Sequence, residues 1–342
     1  MRSSLLLILI LMHSGCGRAG EAASASPARV SDSSGTASPA ASTWAPEATL
    51  VKNLKAHVTM LAGTIGQRNT KNPEGYQRAA DYLESVLTQL GYQVHRQTYL
   101  ADGHESVNLW TERPGTDQVL VIGAHYDSLD SGTPGADDNA SGCAATLELA
   151  RLLKDSKLGP TVRFVLFANE EPPYFQTDLM GSLVYAKSRQ QAKESIMGMI
   201  SLESIGFYSD QPESQHFPAG VSGYPSTGNF VAFISDLSSK AFMERCLSGF
   251  QQAGTLAAEG LAAPGMIEGV MWSDHWAFAK CGYPALMITD TAPFRNPHYH
   301  LSSDTPDTLD YDKLAAVTEG TRRLVENITE SAPRPGKTAP ER

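Results

Sequence analysis

The chain lacks three things: an excess of positive charge, a long apolar run and enough cysteine for a disulfide framework. It carries 27 Lys and Arg against 37 Asp and Glu, a net charge of −10, with the two signs interspersed. Nucleic-acid binding needs a basic face, which this composition does not supply. The apolar stretch Leu5 to Met12 falls well short of the ~20 residues a helical membrane span requires. With Arg2 in front of it, that stretch reads as a secretory signal instead. Of the four cysteines, Cys16 ends the signal, and Cys143, Cys246 and Cys281 cannot all pair with one another. Cys143 lies in a helical pattern and Cys281 beside a strand-like run, so both read as buried, inert thiols.

The signal closes on Ser14-Gly15-Cys16, which resembles a bacterial lipoprotein signal with Cys16 as the acylated residue, although His13 stands where an aliphatic residue is usual. The alternative is an ordinary signal cleaved near Ala19 or Ala23. Either way the expected location is the bacterial envelope or periplasm, lipid-anchored or else secreted. Residues 17–44 are mostly Ala, Ser, Gly, Pro and Thr and read as a flexible tether. Residues 332–342 read as a disordered tail. The intervening residues 45–331 suffice for one α/β domain.

Strand-like and helix-like periodicities alternate through that domain. The segments 93–100 and 105–112 alternate like half-buried strands at an antiparallel edge. The runs 119–124, 161–168, 196–202, 228–235 and 283–289 are apolar throughout or nearly so, as strands buried on both faces are. Helical patterns fill 50–63, 72–91, 141–156, 179–192, 238–254 and 309–331. The expected fold is therefore α/β, a mostly parallel mixed sheet with helices on both faces. The long connections 205–228 and 255–274 are rich in Gly, Pro and Ser, and connections of that length in a compact domain usually wall a site.

The chemistry gathers where these strands stop. His125 follows VLVIGA, Asp137 lies in PGADDNASG, Glu171 ends FVLFANEE, Glu203 closes MGMISL, and His300 follows YPALMIT by a loop. Any one of these reads as a solvated carboxylate or a loop histidine. Together they put metal-ligand side chains at the carboxyl edge of an open α/β sheet, where such folds place their sites. Asp127, two residues beyond His125, points the same way along a strand and can fix the imidazole tautomer. Capping the helix from Ser141 needs one group, Asp138 or Asn139, which leaves Asp137 free to bridge two divalent ions. Neighbours Glu170 and Glu171 point to different sides, which suits one ligand and one base around a single water.

These motifs, with GS at 181–182, SDH at 273–275, GYPALM and YHLSSDTPDT, resemble the co-catalytic zinc aminopeptidases, whose clan also holds glutamate carboxypeptidases and glutaminyl cyclases. The resemblance covers about residues 46–330. It implies an α/β/α sandwich binding two zinc ions, one on His125, Asp137 and Glu203 and the other on Asp137, Glu171 and His300. It further implies a cis Asp137–Asp138 peptide, Glu170 as general base and then acid, and Tyr299 at the oxyanion. Two features depart from the simple aminopeptidases. Glu203 stands where many have Asp, and the PPYFQTDL segment is long, similar to the cyclase branch. The leading expectation is hydrolysis of peptides with a free N-terminus. The alternatives are a single-zinc glutaminyl cyclase-like acyltransferase, a carboxypeptidase using Arg295, and a binding ectodomain that has kept the fold.

Overall fold

The computed structural model describes residues 44–330. The signal, Cys16, all but the last residue of the tether, and the tail lie outside them. Eight strands form one sheet in the order β1-β2-β4-β3-β5-β8-β6-β7. In chain order they are β1 (His95–Ala101), β2 (His104–Arg113), β3 (Thr116–His125), β4 (Pro160–Phe167), β5 (Ile196–Glu203), β6 (Val231–Ser235), β7 (Ala258–Ala262) and β8 (Ala285–Thr289). β4, β3, β5 and β8 run parallel at the centre. β1 and β2 form the antiparallel edge expected from their alternation. β6 runs antiparallel to β8 and pairs in parallel with β7.

The central strands are apolar but for a few residues such as Arg163 and Ser201, because helices cover both sides. In β3, Leu120, Ile122 and Ala124 join the larger core, while Val119 and Val121 join the smaller one on the opposite face. The larger core is closed by α1 (Ala48–Val58), α2 (Pro73–Gln89), α3 (Gly142–Leu153), α5 (Lys240–Ala253) and α7 (Tyr311–Glu330). The smaller is closed by α4 (Gly181–Gln191) and α6 (His275–Lys280). α2 begins where the sequence signals it. Asn72 caps it by accepting a hydrogen bond from the Gly75 N–H (3.3 Å), and Pro73 occupies the first turn. Its buried Ala79, Ala80, Leu83 and Leu87 recur at helical spacing.

Two expectations about local structure are corrected. The connection 255–274 contains the edge strand β7, too short at Ala258–Ala262 and too poor in β-branched residues to signal itself. The first helix does not stop at 63 but continues as a π-helical turn over Thr59–Ile65, ending at Gly66, whose φ is +78°.

Candidate metal centre

The parallel strands deliver their carboxyl ends to one place. His125 is the last residue of β3 and lies in register with Phe167, the last of β4. Glu203 is the last residue of β5, paired with Thr289, the last of β8. The residues that turn the chain there adopt left-handed backbone conformations: Asn169 (φ 57°) before Glu170, Ser204 (φ 46°) after Glu203, and His300 itself (φ 59°). Such φ values cost non-glycine residues of order 1–3 kcal/mol and cluster at sites where side-chain aim matters.

His125 Nε2 lies 3.2 Å from Asp138 Oδ1 and 3.2 Å from Glu203 Oε2. His300 Nε2 lies 3.1 Å from Asp138 Oδ2 and 3.5 Å from Glu171 Oε2. Two ligand sets result, His125-Asp138-Glu203 and Asp138-Glu171-His300, each with donor atoms within 4.8 Å of one another. Asp138 belongs to both. Glu170 stands beside them, its Oε2 3.8 Å from His125 Nε2. Tyr299 stacks flat on His300, with ring centroids 3.8 Å apart.

Asp137 is not in the cluster, which corrects the expectation that it is the shared ligand. Its Oδ1 accepts the Gly206 N–H (2.8 Å) and its Oδ2 the Asn296 Nδ2–H (2.7 Å), so both oxygens are engaged away from the histidines. The cis peptide is likewise Asp138–Asn139 rather than Asp137–Asp138. One carboxylate explains the shift. Asp304 accepts the N–H of Asp137 on Oδ1 (2.9 Å) and the N–H of Asp138 on Oδ2 (3.2 Å), fixing both residues together. The turn into α3 then falls at Asn139, whose Oδ1 accepts from Gly142 N (3.1 Å) and Ser204 N (3.2 Å).

Asp127 performs the same service on the other side. Its Oδ1 accepts the Glu170 N–H and its Oδ2 the Glu171 N–H, each at 3.0 Å. His125 Nδ1 is nearer to the Asp127 carbonyl oxygen (3.2 Å) than to its carboxylate (3.5 Å). The tautomer-fixing partner is therefore chiefly backbone, and the carboxylate mainly places the two glutamates. Glu203 is held by hydroxyls, from Ser204 on Oε1 (2.9 Å) and Ser273 on Oε2 (2.8 Å).

Asp304 lies in YHLSSDTPDT and Ser273 in SDH, and nothing in either segment signals the role of these two side chains. Arg68 and Asn296 sent no signal. Arg68 is fully buried, and its guanidinium donates to the carbonyls of Leu61, Gly66, Tyr126, Pro134 and Gly135. It ties the loop between His125 and Asp138 to the end of the π-helical turn. Arg295 is buried. Its Nε donates to Gln215 Oε1 (2.8 Å), and it packs over the Phe230 ring.

The electrostatics are those of negative charge crowded out of water. Burial, reinforced by neighbouring carboxylates, raises Glu170 and Glu171 well above the usual carboxylate range. Burial also raises Asp137 to about 6, against the donors Gly206 and Asn296. Burial works against the His125 imidazolium, but Glu203 and Glu170 outweigh it and raise that group overall. Asp138 is lowered despite burial, because His125 and His300 both donate to it. Glu171 Oε1 is buried with no hydrogen-bond partner. An orphaned buried carboxylate oxygen among two imidazoles and further carboxylates fits a divalent cation with a taste for nitrogen and oxygen, such as zinc.

Two cavities meet at this cluster. One, of about 220 Å³, is lined by Asp138, Glu170, Glu171, Glu203, His300 and the apolar wall Phe175 and Trp272. The other, of about 80 Å³, is lined largely by apolar groups, among them Phe217, Val221, Tyr224, Phe230 and Ile234. Both connections expected to wall a site do so, with Phe217 from 205–228 and Val270 and Trp272 from 255–274. Glu203, Trp272 and Tyr299 line both spaces.

Comparison with known proteins gives the following. The family model described as Peptidase family M28 matches residues 108–325. The chain is 37% identical over 286 residues to the uncharacterized protein YfbL of Escherichia coli (strain K12), covering 81% of this chain and 88% of that protein. It is 25% identical to leucine aminopeptidase 1 of Arthroderma otae, over 78% of this chain and 71% of that one. The LapA aminopeptidase of Legionella pneumophila superposes with a TM-score of 0.64 at 18% identity, covering 82% of this chain and 72% of that one. Glutaminyl cyclase of Fimbriiglobus ruber also superposes with a TM-score of 0.64, at 21% identity, over 85% and 99%.

Proposed function

This chain belongs to peptidase family M28 and is a zinc-dependent exopeptidase of the aminopeptidase type, and from that premise we propose that it holds two zinc ions on one shared carboxylate, Asp138, and removes N-terminal residues from peptides with a free amine. The observation that carries the proposal is the position of Asp138 between two separate ligand sets. His125, Asp138 and Glu203 would hold one ion, and Asp138, Glu171 and His300 the other. When bound, such ions polarise a carbonyl oxygen and bring the pKa of a water toward ~7.

The chain's own groups do the rest. Glu170 takes the proton of the attacking water and returns it to the leaving amine. Its raised pKa, caused first by burial, suits a group that must hold a proton between two steps. Asp127 holds that carboxylate in place through the backbone N–H groups of Glu170 and Glu171. The cavity's carboxylates favour a cationic α-amine over a blocked one. Tyr299, lining the same cavity, is the candidate donor to the developing oxyanion. The side chain of the N-terminal residue enters the apolar cavity, whose volume of about 80 Å³ is several times the ~10–15 Å³ one water needs.

A carboxypeptidase reading finds less support. Among the described residues neither cavity lining includes Lys or Arg, and Arg295 lies behind the wall with its Nε on Gln215. A single-zinc cyclase reading leaves one of the two ligand sets without purpose. The test is zinc content together with a peptide panel. We expect two zinc ions per chain, and cleavage of free-amine peptides but not N-acetylated ones. Release of ammonia from N-terminal glutamine peptides, with one zinc per chain, would replace this reading by the cyclase one.

We also propose an envelope location, with Cys16 acylated and residues 17–44 as the tether. Its support is the apolar run Leu5–Met12 closed by Ser14-Gly15-Cys16.

A further inference from the structure

The geometry points to a second side-chain subsite, on the leaving-group side of the scissile bond, where Pro172, Phe175 and Trp272 select a bulky apolar residue at the second position of the peptide. This rests on the aminopeptidase reading above and adds a substrate class to it. The two cavities at the centre are not equivalent. The small apolar one reaches Glu203 and Tyr299 but not Glu170, Glu171, Asp138 or His300. The larger one contains all of these.

A scissile bond set over the centre has one residue on each side. Glu170 must hand its proton to the departing nitrogen, so that nitrogen lies within hydrogen-bond reach of the Glu170 carboxylate. The residue carrying it is therefore in the larger cavity, and the N-terminal side chain is left to the smaller one. Past the carboxylates, the wall that the second side chain meets is Pro172, Phe175 and Trp272.

This wall is apolar, partly open and fixed in advance. Trp272 is 39% exposed and Phe175 half-buried, so both rings keep apolar surface open to the cavity. Phe175 belongs to the connection after β4 and Trp272 to the one before α6. Gln176 Nε2 donates to the Met271 carbonyl (2.9 Å) and so joins the two segments beside both rings. The first segment is braced from within by Thr177 Oγ1, which donates to the Tyr174 carbonyl (2.7 Å). A side chain entering between the rings is buried without ordering either loop, and that preorganisation favours binding. Trp272 also lines the smaller cavity, whereas Phe175 does not, so the two rings can be told apart.

The experiment is kcat/KM of the zinc-loaded full chain on Leu-Phe-NH2, Leu-Leu-NH2, Leu-Gly-NH2 and Leu-Asp-NH2. Phe and Leu at the second position should exceed Gly and Asp by about tenfold or more, the range one apolar pocket commands. Phe175→Ala should cut the Phe-to-Gly ratio by about tenfold, Phe175→Leu should keep most of it, and Trp272→Ala should change preference at both positions. Cleavage of all four peptides within about twofold of one another overturns the subsite and leaves the aminopeptidase reading intact. So does a Phe-to-Gly ratio that Phe175→Ala leaves unmoved. Failure to cleave any of them overturns the aminopeptidase reading, and the subsite with it.

Discussion

Asp137 and Asp138 are adjacent and chemically identical, so replacing each by Asn separates the two roles the structure gives them. Asp137 accepts from a backbone N–H at 2.8 Å and from the Asn296 amide at 2.7 Å. In Asp137→Asn one of those donors faces an NH2 group. A buried donor left unsatisfied costs about 1–3 kcal/mol. At roughly 2–4 °C per kcal/mol, the metal-free protein should melt a few to about ten degrees lower. Zinc should still raise its melting temperature, since Asp137 gives no donor atom to either ligand set. Asp138→Asn removes the carboxylate that lies 3.2 Å from His125 Nε2 and 3.1 Å from His300 Nε2. Both proposed ion sites would lose a ligand at once. Zinc at 100 times its dissociation constant stabilises a native protein by about 2.7 kcal/mol for each site, and most of that increment should vanish in this variant. The assay is differential scanning calorimetry with and without zinc, with metal content measured after dialysis. If Asp137→Asn abolished the zinc-dependent shift while Asp138→Asn kept it, the assignment of Asp138 would be wrong.

Glu170→Gln should retain its zinc and lose turnover by about 10²–10⁴, since an amide cannot accept the water's proton; equal loss of metal and rate would make Glu170 a ligand instead. His275 is fully buried, burial lowers its pKa to about 4, and Nε2 pairs with the Val270 carbonyl (2.9 Å). Between pH 6.5 and 4 the unfolded chain binds a proton that the folded one refuses, so this contribution is intact above pH 6.5 and is lost as pH falls. The whole amounts to about 3 kcal/mol, with about 2 kcal/mol gone by pH 5. Urea denaturation at pH 7.5 and 5 should show a smaller acid loss for His275→Gln than for the native chain, and identical losses would refute the argument. Cys16→Ser should abolish incorporation of labelled fatty acid and release the protein from membranes in a lipoprotein-competent bacterium, since a serine cannot carry the thioether-linked lipid. Absence of label on the native chain would leave an ordinary secreted enzyme.

Much of the fold can be read in the sequence because each central strand is buried on both faces and therefore written as a nearly continuous apolar run. The edge strand β7 could not be, since Ala258 to Ala262 carries almost no β-forming side chain and owes its conformation to pairing with β6. The site is legible to the same degree. An apolar strand that stops on His125 or Glu203 advertises a ligand, because no core position tolerates such a group without a partner. Local sequence therefore determined which residue types stand at the carboxyl edge and in what order.

Which aspartate of the pair faces the histidines was decided only by the tertiary structure. The choice depends on Asp304, more than 160 positions away, whose carboxylate takes both backbone N–H groups. It depends equally on Gly206 and Asn296, which hold the Asp137 oxygens on the far side. The same holds for Arg68, whose five carbonyl partners are brought to it from three separate segments. Sequence periodicity reports burial, which is a property of one residue and its near neighbours. The direction of a side chain at a turn is fixed by hydrogen bonds from distant segments, and those exist only once the chain has closed on itself.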